Sequence, residues 1–433
     1  MYSCKELLTT LAAGAHDEAL GRLYATDGGK AALDSSRQRA INVVEGLMKA
    51  YPRRDSDTAA LFSGPGRTEL GGNHTDHQHG NVLCGSVDMD MLACASPNGG
   101  DHIRIMSEGF PELKIQLRDL ECREEEINTS AALVRGVAAK IRELGYALVG
   151  LDAYITSSVP PGSGLSSSAA YEVLIGNILN RFCCGGGLSP VEIAKIGQYA
   201  ENVYYGKPSG LMDQMGSAVG GAVAIDFADP EAPVVRRVGY DFARSGHALC
   251  IVDTCSCHAD LSDDYAGIIS EMGAVAAQFG KQVLRDVPEG DFRAALSLLR
   301  IRCGDRAVLR AMHFYDDNRK AAEEAEALME GDFQKFLDLV NASGISSALN
   351  LQNTWSIADP RQQAIPVVLA VGAGLLEGTG AIRVHGGGFA GTVQAFVPND
   401  RIESFKAGME ALLGEGKCRI LHIRPVGGCV VVG

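Results

Sequence analysis

The sequence predicts a mixed α/β protein of the α+β type, divided into two domains. The chain has 433 residues, and a single hydrophobic core rarely grows to that size, so two domains are expected. Strand-like alternation and helical periodicity follow one another along the whole chain. Residues 226–237, rich in Asp, Pro and Ala, are the strongest candidate for a linker. We therefore expect domains at residues 1–228 and 229–433.

The first half is expected to open with helices that cover the first domain. Apolar residues recur at helical spacing in residues 37–50, and residues 61–95 then turn strand-like and rich in glycine. Residues 103–105 and 113–117 alternate as half-buried strands. A helix is expected over residues 131–144.

Residues 160–170 form a Pro/Gly/Ser run between a strand-like segment, residues 152–159, and a helical pattern. Glycines let backbone N–H groups come close to an anion, and the unpaired N–H groups of a helix's first turn add positive potential. The serines add hydroxyls for phosphate oxygens or a divalent cation. A plain Gly/Ser turn is the alternative. The predicted phosphate contacts are Gly162, Gly164, Ser166, Ser167 and Ser168.

The next helix is marked by a capping box. Ser189 and Glu192 have the capping spacing and Pro190 takes the first helical position, so a helix should run to about Tyr204. Glu201 then falls in its last turns. A turn at residues 206–208 should carry the following short helix, with Asp213, back toward the same region.

The second half alternates helices with strands of antiparallel type, which favours an α+β domain. After a buried strand at residues 222–225, we predict strands at residues 247–252, 392–397 and 420–426, and helices at residues 263–279, 319–329 and 362–376.

Composition excludes several classes of protein. The chain carries 39 Lys and Arg against 53 Asp and Glu, a formal charge of −14, which repels nucleic acid and anionic membranes. The first residues lack the pattern of a secretion signal, and no stretch reaches about 18 apolar residues. We expect a cytosolic protein whose twelve cysteines are reduced. Residues 255–258, Cys-Ser-Cys-His, hint at a metal but lack a second pair at zinc-finger spacing.

Four segments together resemble the GHMP kinases, and within them the galactokinases. Residues 160–170 have the Pro-x-Gly-x-Gly-Leu-(Gly/Ser)-Ser-Ser-Ala form of their phosphate loop. Residues 66–80 are similar to the galactokinase signature, a Gly-Arg leading to Gly-Glu-His-Thr-Asp. Residues 206–214 look like Gly-x-Pro-Cys-Gly-Ile-Met-Asp-Gln, and residues 384–392 are similar to the third, glycine-rich motif. The segments occur in family order.

The resemblance implies two domains with the active site in the cleft between them. It implies transfer of the γ-phosphate of ATP to the anomeric hydroxyl of galactose, giving galactose 1-phosphate and ADP. Asp213 would be the catalytic base, and Arg67 beside it would lower the carboxyl pKa by about one to three units. Ser168 and Glu201 would hold Mg²⁺. Sugar recognition would fall to Asn73, His74, Asp76 and Tyr265.

The chain departs from the family in the sugar motif, which leaves the sugar open. Most galactokinases carry Glu where this chain has Asn73, and Tyr-Asn where it has His77 and Gln78. A kinase for galacturonate, arabinose or N-acetylgalactosamine is therefore an alternative. Another is a sensor that binds galactose and ATP without turnover, although the intact phosphate loop, Glu201, Asp213 and Arg67 favour catalysis.

Other interpretations of these motifs are weaker. The His-rich residues 74–79 could bind a transition metal, but their glycine-rich context favours the sugar motif. Residues 386–391 satisfy Gly-x-Gly-x-x-Gly, yet a strand-like segment follows where a dinucleotide site needs a helix. Taken alone, Ser168 could be a helix cap and Glu201 a solvated helix residue. The predicted partners are a sugar and ATP, and the sequence does not indicate the oligomeric state.

Overall fold

A computed structural model describes residues 2–24, 29–52, 57–160, 164–207, 209–256 and 261–433. The strands are β1 (Tyr2–Ser3), β2 (Thr58–Gly71), β3 (Asn81–Pro97), β4 (His102–Ser107), β5 (Leu113–Gln116), β6 (Leu151–Ser157), β7 (Ala222–Asp226), β8 (Val234–Val238), β9 (His247–Asp253), β10 (Ala381–His385), β11 (Thr392–Pro398), β12 (Cys418–Leu421) and β13 (Cys429–Val432). The helices are α1 (Cys4–Ala12), α2 (Asp17–Leu23), α3 (Gly29–Ala50), α4 (Ser130–Glu143), α5 (Ser167–Cys183), α6 (Pro190–Tyr199), α7 (Met212–Val219), α8 (Ser262–Ala277), α9 (Glu289–Ala294), α10 (Leu296–Cys303), α11 (Asp305–Glu330), α12 (Phe333–Ser346), α13 (Ala364–Leu376) and α14 (Ile402–Leu413).

The larger sheet is built around the two long strands β2 and β3. Its order is β1-β2-β3-β6-β4-β5, with β13 paired to β2 and the β7–β8 hairpin attached to β3. All these pairings are antiparallel except that of β4 with β6. Side chains alternate across the strands, so Phe62 packs under α4 and α5 while Leu61 packs under α1 and α3. Both faces of this sheet are therefore covered by helices.

The smaller sheet has the antiparallel order β10-β11-β9-β12. On one face Val252 and Val393 pack against α13 and α14. On the other, Ile251 and Phe396 share a core with Leu70, from the end of β2. This shared core fixes the two sheets against each other where the sequence motifs lie.

Most predicted elements are confirmed. The capping box on α6 is present, with Ser189 and Glu192 bonded reciprocally. The predicted helix at residues 319–329 is part of the longer α11. No helix in the described ranges combines the length and the apolarity needed to cross a bilayer.

Two predictions were wrong. Part of the predicted linker, residues 234–237, lies in β8, because that strand continues the first sheet as a hairpin with β7. The predicted strand at residues 420–426 ends with β12 at Leu421. Beyond it the buried guanidinium of Arg424 donates to the carbonyls of Val426 and Gly427, which turns the chain. The predicted division at residues 228 and 229 stays a prediction.

Candidate active site

The phosphate loop joins β6 to α5, as predicted. Gly162 lies outside the described residues. Gly164 has φ +71°, and a Cβ there would lie 2.5 Å from Thr392 Oγ1 and 2.9 Å from His385 Nδ1. Only glycine fits this approach of the loop to the third motif.

The helix that follows the loop begins from a strained residue. Ser166 has φ +57°, a left-handed conformation that is costly for a residue with a side chain, and Ser167 is the first residue of α5. Strain of this kind persists where surrounding contacts fix the chain. Here the Ser166 hydroxyl donates to Asp213 Oδ2 at 2.6 Å.

Asp213 and Arg67 form the centre of the site. Arg67 lies on β2, and its Nε donates to Asp213 Oδ1 at 2.7 Å while its Nη1 donates to the Gly164 carbonyl. Gly216 on α7 allows this pairing, because a Cβ there would lie 3.0 Å from the Cβ of Arg67. The carboxylate also lies in the first turn of α7, where the helix dipole favours negative charge.

The charge state of Asp213 is set by its neighbours. Burial alone would raise the pKa of this carboxyl, but the positive charges of Arg67 and Lys207 and the hydrogen bond from Ser166 hold the pKa below its usual value. The side chain is 21% exposed, so a ligand can reach it. At neutral pH it is an ionised carboxylate that can accept a proton or orient a hydroxyl.

Glu201 lies in a π-helical turn, residues 200–205, at the end of α6. Its side chain is 1% exposed. One carboxylate oxygen, Oε1, accepts from Ser168 Oγ at 3.0 Å and from Lys207 Nζ at 2.9 Å. The other accepts from Ser209 Oγ at 2.6 Å and Gln214 Nε2 at 2.8 Å. The two residues predicted to hold a cation are thus in direct contact.

A second carboxyl group lies behind Glu201. Glu172, on the buried face of α5, accepts from Gln214 Nε2 at 2.9 Å, so one amide bridges both acids. Burial and the charge of Glu201 raise the pKa of Glu172 well above its usual value. Glu172 therefore holds its proton more tightly than an exposed glutamate does.

Asn73 is enclosed by protein. Its side chain is 0% exposed, donates to Glu69 Oε1 at 3.0 Å and to the Gly386 carbonyl at 2.7 Å, and accepts from Asn353 at 2.8 Å. Its backbone N–H donates to Asp317 at 2.8 Å. Asn73 therefore links the first motif to the third and fixes the turn that carries His74.

His74 and Tyr265 form a stacked pair against the third motif. Their ring centroids are 6.3 Å apart with an interplanar angle of 28°. His74 Nε2 lies 2.8 Å from the Gly387 carbonyl and Tyr265 Oη donates to the Gly388 carbonyl at 3.1 Å. Burial lowers the pKa of His74 to about 3, with a further contribution from His77, so the ring is neutral.

Asp76 approaches the loop that leads to Asp213. A Cβ on Gly210 would lie 1.9 Å from Asp76 Oδ2, so the carboxylate rests directly on this glycine. The sugar motif and the loop before α7 are therefore in contact. The structure brings several predicted groups into direct contact: Ser166 with Asp213, Arg67 with Asp213, and Ser168 with Glu201, while Asp76 contacts Gly210.

Sequence reasoning missed several residues that organise the site. Glu172 was detectable as an acid on the apolar face of α5, whereas His385 and Lys207 stood inside recognised motifs without an assigned role. His385 accepts from the Glu69 N–H and lies within 3.1 Å of Thr68 and 3.0 Å of Thr392. Burial lowers its pKa well below the usual value, so it is a neutral link between β2 and β10.

A transition-metal site finds no support in the part of the chain that the structure describes. Within those ranges, no three His, Cys, Asp or Glu side chains gather into a metal-binding group. The cluster at residues 255–258 is only partly described, since Cys257 and His258 fall outside.

Comparison with known proteins identifies two family models in this chain. Residues 132–221 match the GHMP kinases N terminal domain. Residues 49–97 match the galactokinase galactose-binding signature. The two matches include the Arg67 strand, the sugar motif, the phosphate loop and Asp213.

Curated relatives cover most of the chain. A galactokinase of Streptomyces coelicolor is 30% identical over 357 residues, which are 82% of this chain and 89% of that protein. A galactokinase of Streptococcus suis is 29% identical over 359 residues, 80% of this chain and 87% of that protein.

Solved structures share the fold. The Lactococcus lactis galactokinase complexed with galactose superposes with a TM-score of 0.75 at 24% identity, over 89% of this chain and 97% of that one. The L. major mevalonate kinase in complex with R-mevalonate gives a TM-score of 0.59 at 16% identity, over 86% and 98%.

Proposed function

This chain belongs to the galactokinase family of the GHMP kinases, and we propose that it transfers the γ-phosphate of ATP to the anomeric hydroxyl of galactose. The products are galactose 1-phosphate and ADP. The observation that carries this proposal is the joint contact of Arg67 and Ser166 with Asp213, by which an ionised carboxylate lies beside the phosphate loop where α5 begins.

To catalyse phosphoryl transfer, a protein mainly has to position the reactants and supply positive charge. As the sugar oxygen bonds to the γ-phosphorus, the bond from that phosphorus to the bridging oxygen of ADP breaks. Asp213 orients the attacking hydroxyl and accepts its proton. A carboxylate with a depressed pKa is a weak base, so the proton moves late, when the hydroxyl is already acidified by bond formation. Arg67 stabilises negative charge on the transferring group.

The chemistry of Ser168 and Glu201 fits Mg²⁺. A hydroxyl and a carboxylate oxygen 3.0 Å apart are hard ligands, and Mg²⁺ characteristically uses few protein groups and keeps several waters. Bound there, Mg²⁺ would supply charge neutralisation for the ATP phosphates. Gln214 and Ser209 fix the position of the Glu201 carboxylate through hydrogen bonds, and Lys207 pairs with it.

The proposed sugar site contains His74, Asp76 and Tyr265, with Asn73 positioning the turn. A neutral imidazole, a carboxylate and a phenol offer both donors and acceptors, so a sugar of the wrong configuration would leave a polar group unpaired. Asn73 supports the turn through its contacts with Glu69 and Gly386. The Asp76 carboxylate supports a neutral hexose over a uronic acid.

ADP release measured over a panel of sugars tests this function. The panel contains galactose, glucose, galacturonate, arabinose and N-acetylgalactosamine, each with ATP and Mg²⁺. We expect the highest kcat/KM with galactose and formation of the 1-phosphate. A higher value with another sugar would reassign the substrate, and absence of turnover with every sugar despite ATP binding would indicate a sensor.

We also propose that the protein works in the cytosol and binds small molecules only. Nine of the described cysteines are free thiols, in keeping with a reducing compartment: Cys84, Cys122, Cys183, Cys184, Cys250, Cys255, Cys303, Cys418 and Cys429. The formal charge of −14 disfavours nucleic acid and anionic membranes as partners.

A further inference from the structure

Lys207 places an ammonium group inside the site. It follows Gly206, whose φ of +85° ends the π-helical turn, and its backbone N–H donates to the Glu201 carbonyl at 3.1 Å. Its Nζ donates to Glu201 Oε1 at 2.9 Å. The side chain stays 52% exposed although its partner is 1% exposed, so the ammonium lies at the boundary between the buried acid and the open site.

A simple ion pair does not account for this arrangement. Glu201 also accepts from Ser168, Ser209 and Gln214, so its two oxygens have three other donors. An ion pair on a half-exposed lysine contributes only about 0–1 kcal/mol to stability. The ammonium is therefore a minor contributor to the stability of the carboxylate and remains accessible to a ligand.

The positive charge of Lys207 acts on the proposed base and on the proposed sugar site. It helps to lower the pKa of Asp213, after Arg67, and it opposes the rise that burial causes in the pKa of Tyr265. Lys207 thus lies within electrostatic range of the proposed base, of the proposed sugar site and of the Ser168 hydroxyl that shares Glu201 with it.

A second cation beside Arg67 would balance the negative charge around the transferring phosphoryl group. Asp213 is ionised and ATP brings several more negative charges, while Arg67 is held by Asp213 and by the Gly164 carbonyl. An ammonium on a flexible stem can reach the outer oxygens of the γ-phosphate from the side of Glu201.

We propose that Lys207 is a further catalytic residue, whose ammonium binds the γ-phosphoryl group of ATP from the Glu201 side while Arg67 acts from the Asp213 side. The proposal rests on the proposed function. If the proposal is right, the Lys207 ammonium contacts only the γ-phosphate of ATP, because Glu201 holds it on the side of the transferring group.

Nucleotide binding separates this role from a structural one. Affinities for AMP-PNP and for ADP are measured by calorimetry, with Mg²⁺, for the unmodified protein, Lys207→Met and Lys207→Arg. We expect Lys207→Met to bind AMP-PNP about tenfold more weakly, as the loss of one charge-assisted hydrogen bond does, with ADP affinity unchanged. Lys207→Arg should keep most of the preference for AMP-PNP. The kcat of Lys207→Met should fall about a hundredfold.

Lys140→Met is the matched control, because Lys140 also pairs with a glutamate, Glu143, but lies on α4 outside the site. It should leave both affinities unchanged. The proposal would be overturned if Lys207→Met lost affinity for AMP-PNP and for ADP equally, or if it bound AMP-PNP more tightly. It would also be overturned if Lys207→Arg lost as much AMP-PNP affinity as Lys207→Met. Kinase turnover of the unmodified protein is measured separately, so failure of the proposed function and failure of the Lys207 assignment give different results.

Discussion

Arg67 and Asp213 form an ion pair across 146 positions of the sequence, with Arg67 Nε 2.7 Å from Asp213 Oδ1. The second oxygen of the same carboxylate accepts from Ser166 at 2.6 Å. One carboxylate therefore joins β2, the phosphate loop and α7, and the proposed chemistry depends on this junction.

Replacing Asp213 by Asn should remove phosphorylation while sugar binding stays measurable. The amide keeps the shape of the side chain but cannot accept the proton, and loss of a general base costs about 10²- to 10⁴-fold. ADP release and calorimetric binding of galactose check the two halves of this expectation. Asp229→Asn, at an exposed position away from the site, should behave as the unmodified protein. Undiminished turnover in Asp213→Asn would refute the assigned role.

The pH dependence should reveal the effect of Arg67 on Asp213. Because the pKa of Asp213 is lowered in the folded protein, the carboxylate stays ionised as the pH falls through the ordinary Asp range. The stability that it contributes is present above its unfolded pKa, near 3.8, and is lost as pH falls through the lower, folded pKa.

Replacing Arg67 by Gln should therefore move the titration of Asp213 upward by about one to three units. A carboxyl-carbon NMR titration measures this even in a variant without activity, and the acid limb of kcat/KM should follow it where turnover remains. An unchanged titration would show that Arg67 does not control the charge of Asp213.

Gly164→Ala should lower both stability and kcat/KM by more than the left-handed backbone conformation of residue 164 alone would cause. A left-handed φ costs a residue with a side chain about 1–2 kcal/mol, and at Gly164 the new methyl group would also press on Thr392 and His385. Gly246 is the matched control, with φ +72° and no atom within 4 Å of an added Cβ. Urea unfolding and kcat/KM should both fall further in Gly164→Ala than in Gly246→Ala. Equal losses would mean that the loop does not rest on the third motif.

Glu324 should make the protein less stable as pH rises. Among the described residues, neither carboxyl oxygen of Glu324 has a hydrogen-bond partner, and burial raises the pKa of Glu324 well above 4.5. Since the folded state keeps the proton that the unfolded chain releases, stability falls as pH rises from the unfolded pKa toward the folded one, by at most about 1.4 kcal/mol per pH unit.

Glu324→Gln removes this titration and should therefore gain stability over the unmodified protein as the pH increases from 5 to 8. Urea unfolding at several pH values measures the difference. Glu323→Gln alters the neighbouring glutamate, whose side chain is 41% exposed, and its curve should run parallel to that of the unmodified protein. Parallel curves for Glu324→Gln as well would contradict the protonated state of Glu324.

Local sequence predicted the elements whose hydrogen bonds are local. Ser189 and Glu192 mark the start of α6 because they bond to each other's backbone three residues apart. The sequence predicts a linker where residues 234–237 form part of β8. Pairing with β7 stabilises this strand, and the composition of these residues does not indicate that pairing. The residues after Leu421 leave the sheet because of the contacts of a buried arginine, which no periodicity reveals.

The sequence by itself determined the family, the order of the motifs and the position of Asp213, since these depend on residue types at fixed spacing. Only the tertiary structure decided that Asn73 is enclosed, that Glu172 is buried behind Glu201 with a raised pKa and that the Lys207 ammonium lies beside Glu201. Charge state and exposure are set by groups distant in the chain, because burial and Coulomb interactions act through space.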